Sequence, residues 1–433
     1  MDTSTRQYEL VLFGATGYTG KLCAEHIAKN LPTDLKWAIA GRNEKKLSEI
    51  AKELKSINSD RIQPEIEIAE LNDTDLDALA KKTRVLLTTV GPYHKYGEHA
   101  FKACATNGTH YIDCTGEVPW LKDMIEKYEE TAKSNGAILQ LYFNAKMIPQ
   151  CGIDSAPPDL LTYLLGTYLL QTHSAPLTTS TITAHRMKTA PSGGTLTTIL
   201  TLTDTYPLRA LRASTRPFAL SPVQPASRAP RASAPLLERV LGVRRSADLG
   251  VLTAHPGARG DAAIVYRSWG LLDAGAYYAP RFAFSEWTTA RGVLAGAAWH
   301  WGLLAGTLAL ALPPVRAVLR RLVAQPGQGP AREAAEREEM EYRGVGEGMR
   351  NEGEQVRKAR ATWRFKGGMY LLTGILMAEA AMVITRGKGT RAHEAGGGIL
   401  TPAMLGEAFA ERIRKVGIEV EVGDRFVEER ARL

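Results

Sequence analysis

Three glycines stand at three-residue intervals near the amino terminus, in the segment YELVLFGATGYTG that spans residues 8–20. Gly14 ends a β-prone apolar run and permits a tight turn, Gly17 lets backbone amides approach a pyrophosphate, and Gly20 lets the next helix pack against the strand. A dinucleotide diphosphate would lie on unpaired N–H groups at the positive end of the helix dipole. The alternative is a βα turn that binds no ligand. The predicted cofactor-binding turn consists of Gly14, Ala15, Thr16, Gly17, Tyr18, Thr19 and Gly20.

Arg42 decides which dinucleotide is expected. It follows a second buried strand, predicted over residues 35–40, where NAD-binding proteins usually have an acidic residue for the ribose hydroxyls. A basic side chain here can instead meet a 2′-phosphate, so NADP is the predicted cofactor. Glu44 is near enough to keep NAD as the less favoured alternative, and Arg42 could also be an ordinary solvated arginine.

The crevice at the carboxyl edge of the predicted sheet should be lined by residues that follow its later strands. Gly91 and Pro92 end the fourth strand and are predicted to contact the cofactor. Tyr93 is the first catalytic candidate, as a proton donor or orienting hydroxyl, and His94 is the second because histidine titrates near working pH. Packing of Tyr93 against the nicotinamide ring is an equally weighted alternative.

Three further residues are candidates for the substrate side of this crevice: Glu117, Asp154 and Ser155. Glu117 follows the fifth strand and is as suited to holding loop N–H groups as to touching substrate. Asp154 is predicted to cap the helix that Ser155 begins, because a short acidic side chain accepts the free N–H groups there. No metal is predicted, because no close metal-ligand spacing occurs in the sequence.

These residues require a scaffold of alternating strands and helices. Strands are predicted over residues 10–13, 35–40, 65–69, 85–90, 111–113 and 137–141, with helical patterns between them. The alternation predicts an α/β fold with an NAD(P)-binding, Rossmann-type, doubly wound parallel sheet over residues 1–150. A second α+β domain for substrate binding or dimerisation is predicted over residues 151–290, so a homodimer is one assembly that the sequence allows. It includes a strand at 178–186 and a mobile loop at about 207–248.

The last third of the chain divides by composition. A hydrophobic, membrane- or lipid-associated segment is predicted over residues 291–323, a charged helical linker over 324–366, and helices that pack back on the core over 367–433. Residues 292–312 carry no formal charge and are long enough to cross a bilayer. Trp299, His300 and Trp301 lie mid-segment although indole rings prefer the interface, so a hairpin or in-plane insertion fits better than a simple span. The alternative is a buried core helix.

Charge and cysteine usage narrow the functional classes. The formal net charge of +8 is dispersed, and no basic stripe with interleaved aromatics occurs, so nucleic-acid binding is not predicted. Four cysteines without a CxxC pair indicate reduced thiols, and the amino terminus leaves no room for a signal peptide before the first strand. The expected location is intracellular, at a membrane if residues 292–312 associate with one and otherwise cytoplasmic.

The order of several motifs gives the chain a family resemblance. It resembles the saccharopine dehydrogenase-like oxidoreductases, which include trans-acting enoyl reductases, through GATGYTG, AGR at 40–42, TVGPY at 89–93, YIDCTGE at 111–117, CGIDSAPPDL at 151–160, PSGGT at 191–195, the apolar run at 367–384 and GGGILTPAMLGE at 396–407. The resemblance spans nearly the whole chain and is weakest in the middle. It implies association with lipid droplets or membranes through the hydrophobic segment.

One segment departs from that family. Residues 140–147, QLYFNAKM, look like an insertion after the sixth strand. Within it, Tyr142 and Lys146 have the spacing of the catalytic pair of short-chain dehydrogenases. We interpret this as a chance match, because the pair needs a helix face and these residues extend a strand.

The leading hypothesis is an NADP-dependent oxidoreductase that transfers hydride to a lipid-like or otherwise apolar small molecule, at a carbon–carbon double bond, a carbonyl or an imine. Two alternatives stay open. One is an NADP-binding structural or sensing protein of lipid droplets or membranes without turnover. The other is a saccharopine-type amino-acid dehydrogenase, which is disfavoured because no arginine cluster for two or more substrate carboxylates is evident.

Overall fold

The structure is a computed structural model that describes residues 6–134, 144–187, 193–227, 235–322, 329–349 and 356–426. Its first elements alternate between strand and helix. They are β1 (Tyr8–Phe13), α1 (Tyr18–Asn30), β2 (Trp37–Gly41), α2 (Glu44–Ile57), β3 (Glu65–Ile68), α3 (Asp73–Lys82), β4 (Thr83–Thr88), α4 (Tyr93–Tyr96), α5 (Glu98–Asn107), β5 (His110–Asp113), α6 (Val118–Ser134) and β6 (Lys146–Ile148).

The following elements build a second sheet and its surroundings. They are α7 (Ala156–His173), β7 (Leu177–Met187), α8 (Gly193–Thr205), α9 (Leu208–Ser214), α10 (Leu236–Leu241), β8 (Val243–Ser246), β9 (Gly250–Ala254), α11 (Ala258–Leu271), β10 (Ala283–Ala290), α12 (Val293–Leu310), α13 (Pro313–Leu322), α14 (Arg332–Ala335), β11 (Glu339–Gly348) and β12 (Lys358–Lys366). The chain then returns to the first sheet with α15 (Met369–Arg386), α16 (Arg391–Glu394), β13 (Gly398–Ile399), α17 (Gly406–Lys415) and β14 (Glu419–Gly423).

The first sheet has seven parallel strands in the order β13-β6-β5-β4-β1-β2-β3. Its central strands are apolar on both faces: Leu12 on β1 lies opposite Ile39 on one neighbour and Leu87 on the other. One face is covered by α1, α2 and α15, and the other by α3, α5 and α6. Covering both faces is what a parallel sheet of continuous apolar strands requires. The prediction of a doubly wound α/β fold with a second α+β part is confirmed.

The second sheet is mixed, with the order β14-β12-β11-β7-β10-β9-β8. Strand β7 pairs in parallel with β10 and antiparallel with β11. Helix α7 lies on this sheet where β11 carries Gly344 and Gly346. A Cβ atom at Gly344 would come within 3.1 Å of Leu165 on α7, and one at Gly346 within 3.2 Å. The alternating glycines therefore let the helix approach the sheet closely.

The charged helical linker predicted over residues 324–366 is wrong for most of its length. Apart from the four-residue α14, its described part forms β11 and β12, two inner strands of the second sheet. Met340 and Tyr342 are buried on alternate positions of β11, while Glu341 between them pairs with Arg343 and with neighbouring arginines. The charge density of this segment suggested a solvated helix, but its ion pairs are made across a sheet.

Two other expectations need correction. Strand β6 at Lys146–Ile148 pairs with β5, so the end of the supposed insertion is itself the sixth strand. The strand predicted at 137–141 and Tyr142 lie outside the described residues. The expected mobile loop at about 207–248 contains α9, α10 and β8, and Val243 is buried on β8. Residues 228–234 of that loop lie outside the described residues. The first two residues of the PSGGT motif, Pro191 and Ser192, lie outside them as well.

The two apolar helices of the last third of the chain differ in their surroundings. Helix α15 is a core helix that packs on α1, as its apolar sequence predicts. Its one acidic residue, Glu379, accepts hydrogen bonds from His26 Nε2 at 2.9 Å and Arg412 Nε at 2.7 Å, which supplies the partners that a buried carboxylate needs. Helix α12 is mostly exposed, so the alternative of a buried core helix for residues 292–312 is wrong.

Candidate functional site

The glycine turn lies at the carboxyl end of β1, where the sheet opens into a crevice. Gly14 has φ +93°, and a Cβ atom there would lie 2.7 Å from Val90 Cγ2. A Cβ atom at Gly20 would overlap the carbonyl oxygen of Gly14. Helix α1 starts after Gly17 without a side-chain cap and has no acidic residue in its first turn. Its first N–H groups therefore face an opening that suits an anion, and the turn fits a dinucleotide diphosphate.

Tyr18 ties the glycine turn to the carboxy-terminal part of the chain. Its hydroxyl donates to the Pro330 carbonyl at 2.8 Å, and its ring meets Tyr370 edge-on at 5.4 Å. A pocket of about 310 Å³ lies here, lined by Thr16, Gly17 and Lys21 among other residues. The side chain of Tyr18 thus closes one wall of the turn, while the backbone of the turn stays available to a ligand.

Arg42 follows the last residue of β2 and is exposed. Within the described part of the chain, no hydrogen bond or ion pair occupies its guanidinium. The next residue, Asn43, caps α2 by accepting a hydrogen bond from the Lys46 N–H at 3.0 Å, which fixes the backbone beside Arg42. An exposed cation on a fixed backbone at this strand tip can meet a 2′-phosphate.

Tyr93 is buried beneath the crevice. Its hydroxyl donates to the Thr88 carbonyl at 2.8 Å and lies 3.4 Å from Cys114 Sγ, and its ring packs on Trp120 with centroids 5.4 Å apart. Burial raises the pKa of Tyr93 well above its ordinary value, so the phenol holds its proton and already donates it. This geometry favours a packing role for Tyr93, with Trp120 as the observed aromatic partner where the alternative named the nicotinamide ring. It gives no support to the proton-donor role that we predicted.

His94 and Glu117 form one buried unit. Glu117 Oε1 accepts from the Tyr93 N–H at 2.7 Å, and Oε2 accepts from the His94 N–H at 2.8 Å. The same Oε2 lies 2.5 Å from His94 Nδ1, while Nε2 lies 3.3 Å from Thr201 Oγ1. Glu117 therefore holds the backbone at the start of α4. Of the two roles that the sequence allowed, holding loop N–H groups or touching substrate, these contacts correspond to the first. The imidazole is enclosed beside Gly91 and Pro92 and has no exposed side-chain surface.

Asp154 and Ser155 lie where β6 leads into α7. Asp154 is exposed beside the loop that follows β5: a Cβ atom at Gly116 would lie 3.1 Å from Asp154 Oδ2. Surrounding protein limits its solvation and raises its pKa. Ser155 is the residue before α7, which has no side-chain cap hydrogen bond, so the predicted capping by Asp154 is wrong. The Ser155 hydroxyl instead donates to Asp261 Oδ1 at 2.9 Å.

Sequence reasoning missed a buried cluster that α11 and the second sheet place next to Ser155. It consists of His255, Asp261 and Glu286, whose ligand-type atoms lie within 4.8 Å of one another. His255 Nε2 lies 3.9 Å from Glu286 Oε1, farther than the roughly 3.4 Å between two ligands of one tetrahedral zinc ion, so we do not assign a metal site. The available signal was Glu286 itself, a carboxylate in the middle of the strand AFSEWTTA.

The described residues thus place a turn that fits a diphosphate and the exposed Arg42 at one edge of the first sheet, and buried acidic groups behind Ser155. Residues 10–139 match the family model described as the saccharopine dehydrogenase NADP binding domain. Fold and site together define the class: an NADP-dependent oxidoreductase.

Comparisons over the full chain narrow the class to a family. The chain is 30% identical over 440 residues to a trans-acting enoyl reductase of Mycobacterium tuberculosis, covering 96% of this chain and 98% of that protein. It is 28% identical over 443 residues to a trans-acting enoyl reductase of Mycobacterium ulcerans, covering 97% and 99%. Its fold is similar to that of saccharopine dehydrogenase (L-Glu forming) from Saccharomyces cerevisiae, with a TM-score of 0.51, 12% identity, and coverage of 96% and 99%. The chain belongs to the saccharopine dehydrogenase-like family that includes the trans-acting enoyl reductases.

Proposed function

We propose that this protein reduces a carbon–carbon double bond conjugated to a carbonyl in a lipid-like substrate. The observation that carries the proposal is the match to proteins named trans-acting enoyl reductase over almost the whole of both chains, including the second domain. NADPH supplies the hydride when it is bound. The residues of this chain would hold its diphosphate at the glycine turn, meet its 2′-phosphate with Arg42, and place its reactive end toward Gly91 and Asp154.

Buried polar groups support the crevice that this reaction needs. Asp113 Oδ1 accepts from the N–H groups of Thr115 and Gln150, each at 2.9 Å, and so ties the loop after β5 to the segment after β6. Burial raises the pKa of Asp113 to about 6. These contacts fix the two loops between which Asp154 is exposed, so a substrate would meet an ordered wall.

Cofactor preference tests the first part of the proposal. NADPH and NADH are titrated into purified full-length protein while nicotinamide fluorescence is followed, for the natural chain and for Arg42→Ala. Loss of one exposed charge-assisted contact should weaken NADPH binding about tenfold. NADH has no 2′-phosphate, so its affinity should not change. Equal loss for both dinucleotides, or no loss for either, contradicts the role of Arg42.

Turnover tests the second part. NADPH oxidation is followed with a long-chain 2-enoyl N-acetylcysteamine thioester, and a saccharopine-type substrate mixture of an amino acid and an aldehyde serves as the comparison. Oxidation with the thioester alone supports enoyl reduction, and oxidation with the mixture alone supports the amino-acid alternative. Tight NADPH binding without either reaction supports the non-catalytic alternative.

We also propose that the protein works at a membrane or lipid-droplet surface, docked by α12 without spanning it. One side of the first half of α12 is fixed to the second sheet, since Thr253 Oγ1 donates to the Gly296 carbonyl at 2.7 Å. The remaining surface is apolar and exposed, including Leu294, Trp301 and Leu308. A helix held on one side by protein can insert its other side in the plane of a lipid surface.

A further inference from the structure

Asp261 on α11 and Glu286 on β10 present carboxyl groups to each other inside the protein. Their residues are 2% and 5% exposed. Asp261 Oδ2 and both oxygens of Glu286 receive no hydrogen bond within the described part of the chain, yet the two carboxyl groups are within hydrogen-bonding reach of each other. Two ionised carboxylates cannot donate to each other, so this arrangement is costly unless something positive lies between them.

Among the residues that the structure describes, the surrounding elements supply no positive charge. Burial lowers the pKa of His255 to about 4, so its imidazole is neutral at neutral pH, and Nδ1 lies 3.0 Å from Thr288 Oγ1. Tyr342 on β11 keeps its proton because burial raises its pKa well above the ordinary value. Ser155 donates only a hydroxyl, and Asp154 adds a further negative group. Every titratable group of the described residues that faces the pair is therefore neutral or acidic.

We propose that Asp261 and Glu286 share a proton and form the acid pair of the crevice, which supplies the proton of the reduction by way of Asp154. The role in reduction rests on the proposed function, whereas the shared proton does not. In the reaction the carbon–carbon π bond breaks and two C–H bonds form. One takes the hydride of the reduced dinucleotide, which is thereby oxidised, and the other takes the proton of the pair, which water then restores.

The position of Asp154 connects the pair to the crevice. Asp154 precedes Ser155, whose hydroxyl holds Asp261, and its own carboxylate is exposed next to Gly116. Burial raises the pKa of Asp261 and Glu286, and the neighbouring carboxyl groups raise it further for Asp261. The pair therefore stays protonated at a pH at which an exposed carboxyl group is ionised, which suits a proton store behind an exposed carrier.

The sign of the pH effect follows from these directions. The relevant pH window lies between the ordinary pKa of a carboxyl group and the raised pKa of the folded protein. Within this window the folded protein binds more protons than the unfolded chain. Its stability is therefore greatest at the low-pH end of the window and falls as the pH rises. For each extra proton that the folded protein binds, the unfolding equilibrium constant should increase by up to about tenfold for each unit by which the pH rises within this window. Replacing Glu286 by glutamine removes a titrating group and should flatten this dependence.

Infrared spectroscopy tests the shared proton without substrate or cofactor. The full chain at pH 7 should show a carboxylic acid C=O component that shifts in D₂O and that the spectra of Glu286→Gln and Asp261→Asn lack. Difference spectra separate this component from that of Asp159, another buried carboxyl group, whose pKa burial raises to about 7. Glu419→Gln is the matched control, since Glu419 is exposed on β14 of the same sheet, and the band should persist there. Denaturant unfolding from pH 5 to pH 8 checks that the variants fold and measures the flattened pH dependence.

Three results would overturn the proposal in separable ways. If the natural chain lacks the acid band, the proposal of a shared proton is wrong. It is also wrong if elemental analysis finds a stoichiometric divalent ion in the natural chain and none in Glu286→Gln. With the enoyl thioester as probe, activity should decrease as the pH rises, and in Glu286→Gln this decrease should occur at a pH at least one unit lower than in the natural chain. If the dependence of activity on pH is the same in both, the proposed role of the pair in reduction is wrong. If the band is present but the natural chain does not bind NADPH or use the thioester, the proposed function fails and the pair stands.

Discussion

Helices α12 and α15 have the same length and the same hydropathy but opposite surroundings. Each has 18 residues and a mean hydropathy of 1.4, yet 83% of α15 is buried and only 11% of α12 is. Both are long and apolar enough to cross a membrane by composition. The comparison shows that hydropathy identifies a segment that avoids water and leaves open whether protein or lipid covers it.

Small residues show why the protein covers only one of the two. On α15, a Cβ atom at Gly374 would lie 2.9 Å from the backbone of Cys23, so this glycine lets α15 and α1 approach closely. On α12, a Cβ atom at Gly302 or Gly306 would meet no atom within 4 Å. A neighbouring helix therefore lies against Gly374 on α15, whereas no described atom lies against Gly302 or Gly306 on α12.

The largest expected difference between the helices is in the cost of shortening a leucine. Leu376→Ala on α15 removes a fully buried side chain and should lower the free energy of unfolding by roughly 2–5 kcal/mol. Leu308→Ala on α12 removes an exposed one and should change it by less than about 0.5 kcal/mol. Urea unfolding followed by circular dichroism measures both. Similar costs would mean that α12 is covered in solution, by a second copy or by rearrangement.

A smaller difference is expected from polar residues on the two helices. Glu379→Ala on α15 leaves His26 and Arg412 without their shared partner. We expect a loss of about 2 kcal/mol, less than for a fully buried pair because Arg412 is partly exposed. Thr307→Ala is the matched change on α12, where the hydroxyl only donates back to the Leu303 carbonyl, and should be near neutral. The same unfolding measurement applies, and equal effects would contradict the assigned surroundings.

The sequence predicted the dinucleotide fold well because its signals are local. The glycines of residues 14–20, the arginine after β2 and the alternation of apolar runs each act within one βα unit, so no distant contact is needed to interpret them. The sequence also predicts that the Glu379 carboxylate needs a partner, since a charge in an apolar run must be compensated. Its partners could not be predicted, because His26 lies far away in the sequence.

The misinterpreted segments depend on distant contacts. The charge-dense run that leads into β11 is typical of a helix, and the role of the alternating glycines of β11 becomes clear only when α7 is placed on the sheet. Tyr93 follows the fourth strand as predicted, but its hydroxyl is used by the Thr88 carbonyl below it. Asp261 and Glu286 are separated by 24 intervening residues, and only the packing of α11 on β10 brings their carboxyl groups together.

The smallest effect concerns lipid affinity, and it tests what covers α12. If a lipid surface does, Leu294→Ser and Leu308→Ser should each weaken binding to phosphatidylcholine vesicles by about tenfold, since full burial of a leucine contributes roughly 1.5–3 kcal/mol and insertion from one side buries less. Vesicle co-sedimentation measures this, and Ile62→Ser, at an exposed position on the first domain, is the control. Dinucleotide affinity should be unchanged in all three variants, because none of these residues lies at the glycine turn. If none of the three substitutions changes vesicle binding, α12 is covered by protein rather than by lipid. The two helices would then share their surroundings as well as their length and hydropathy.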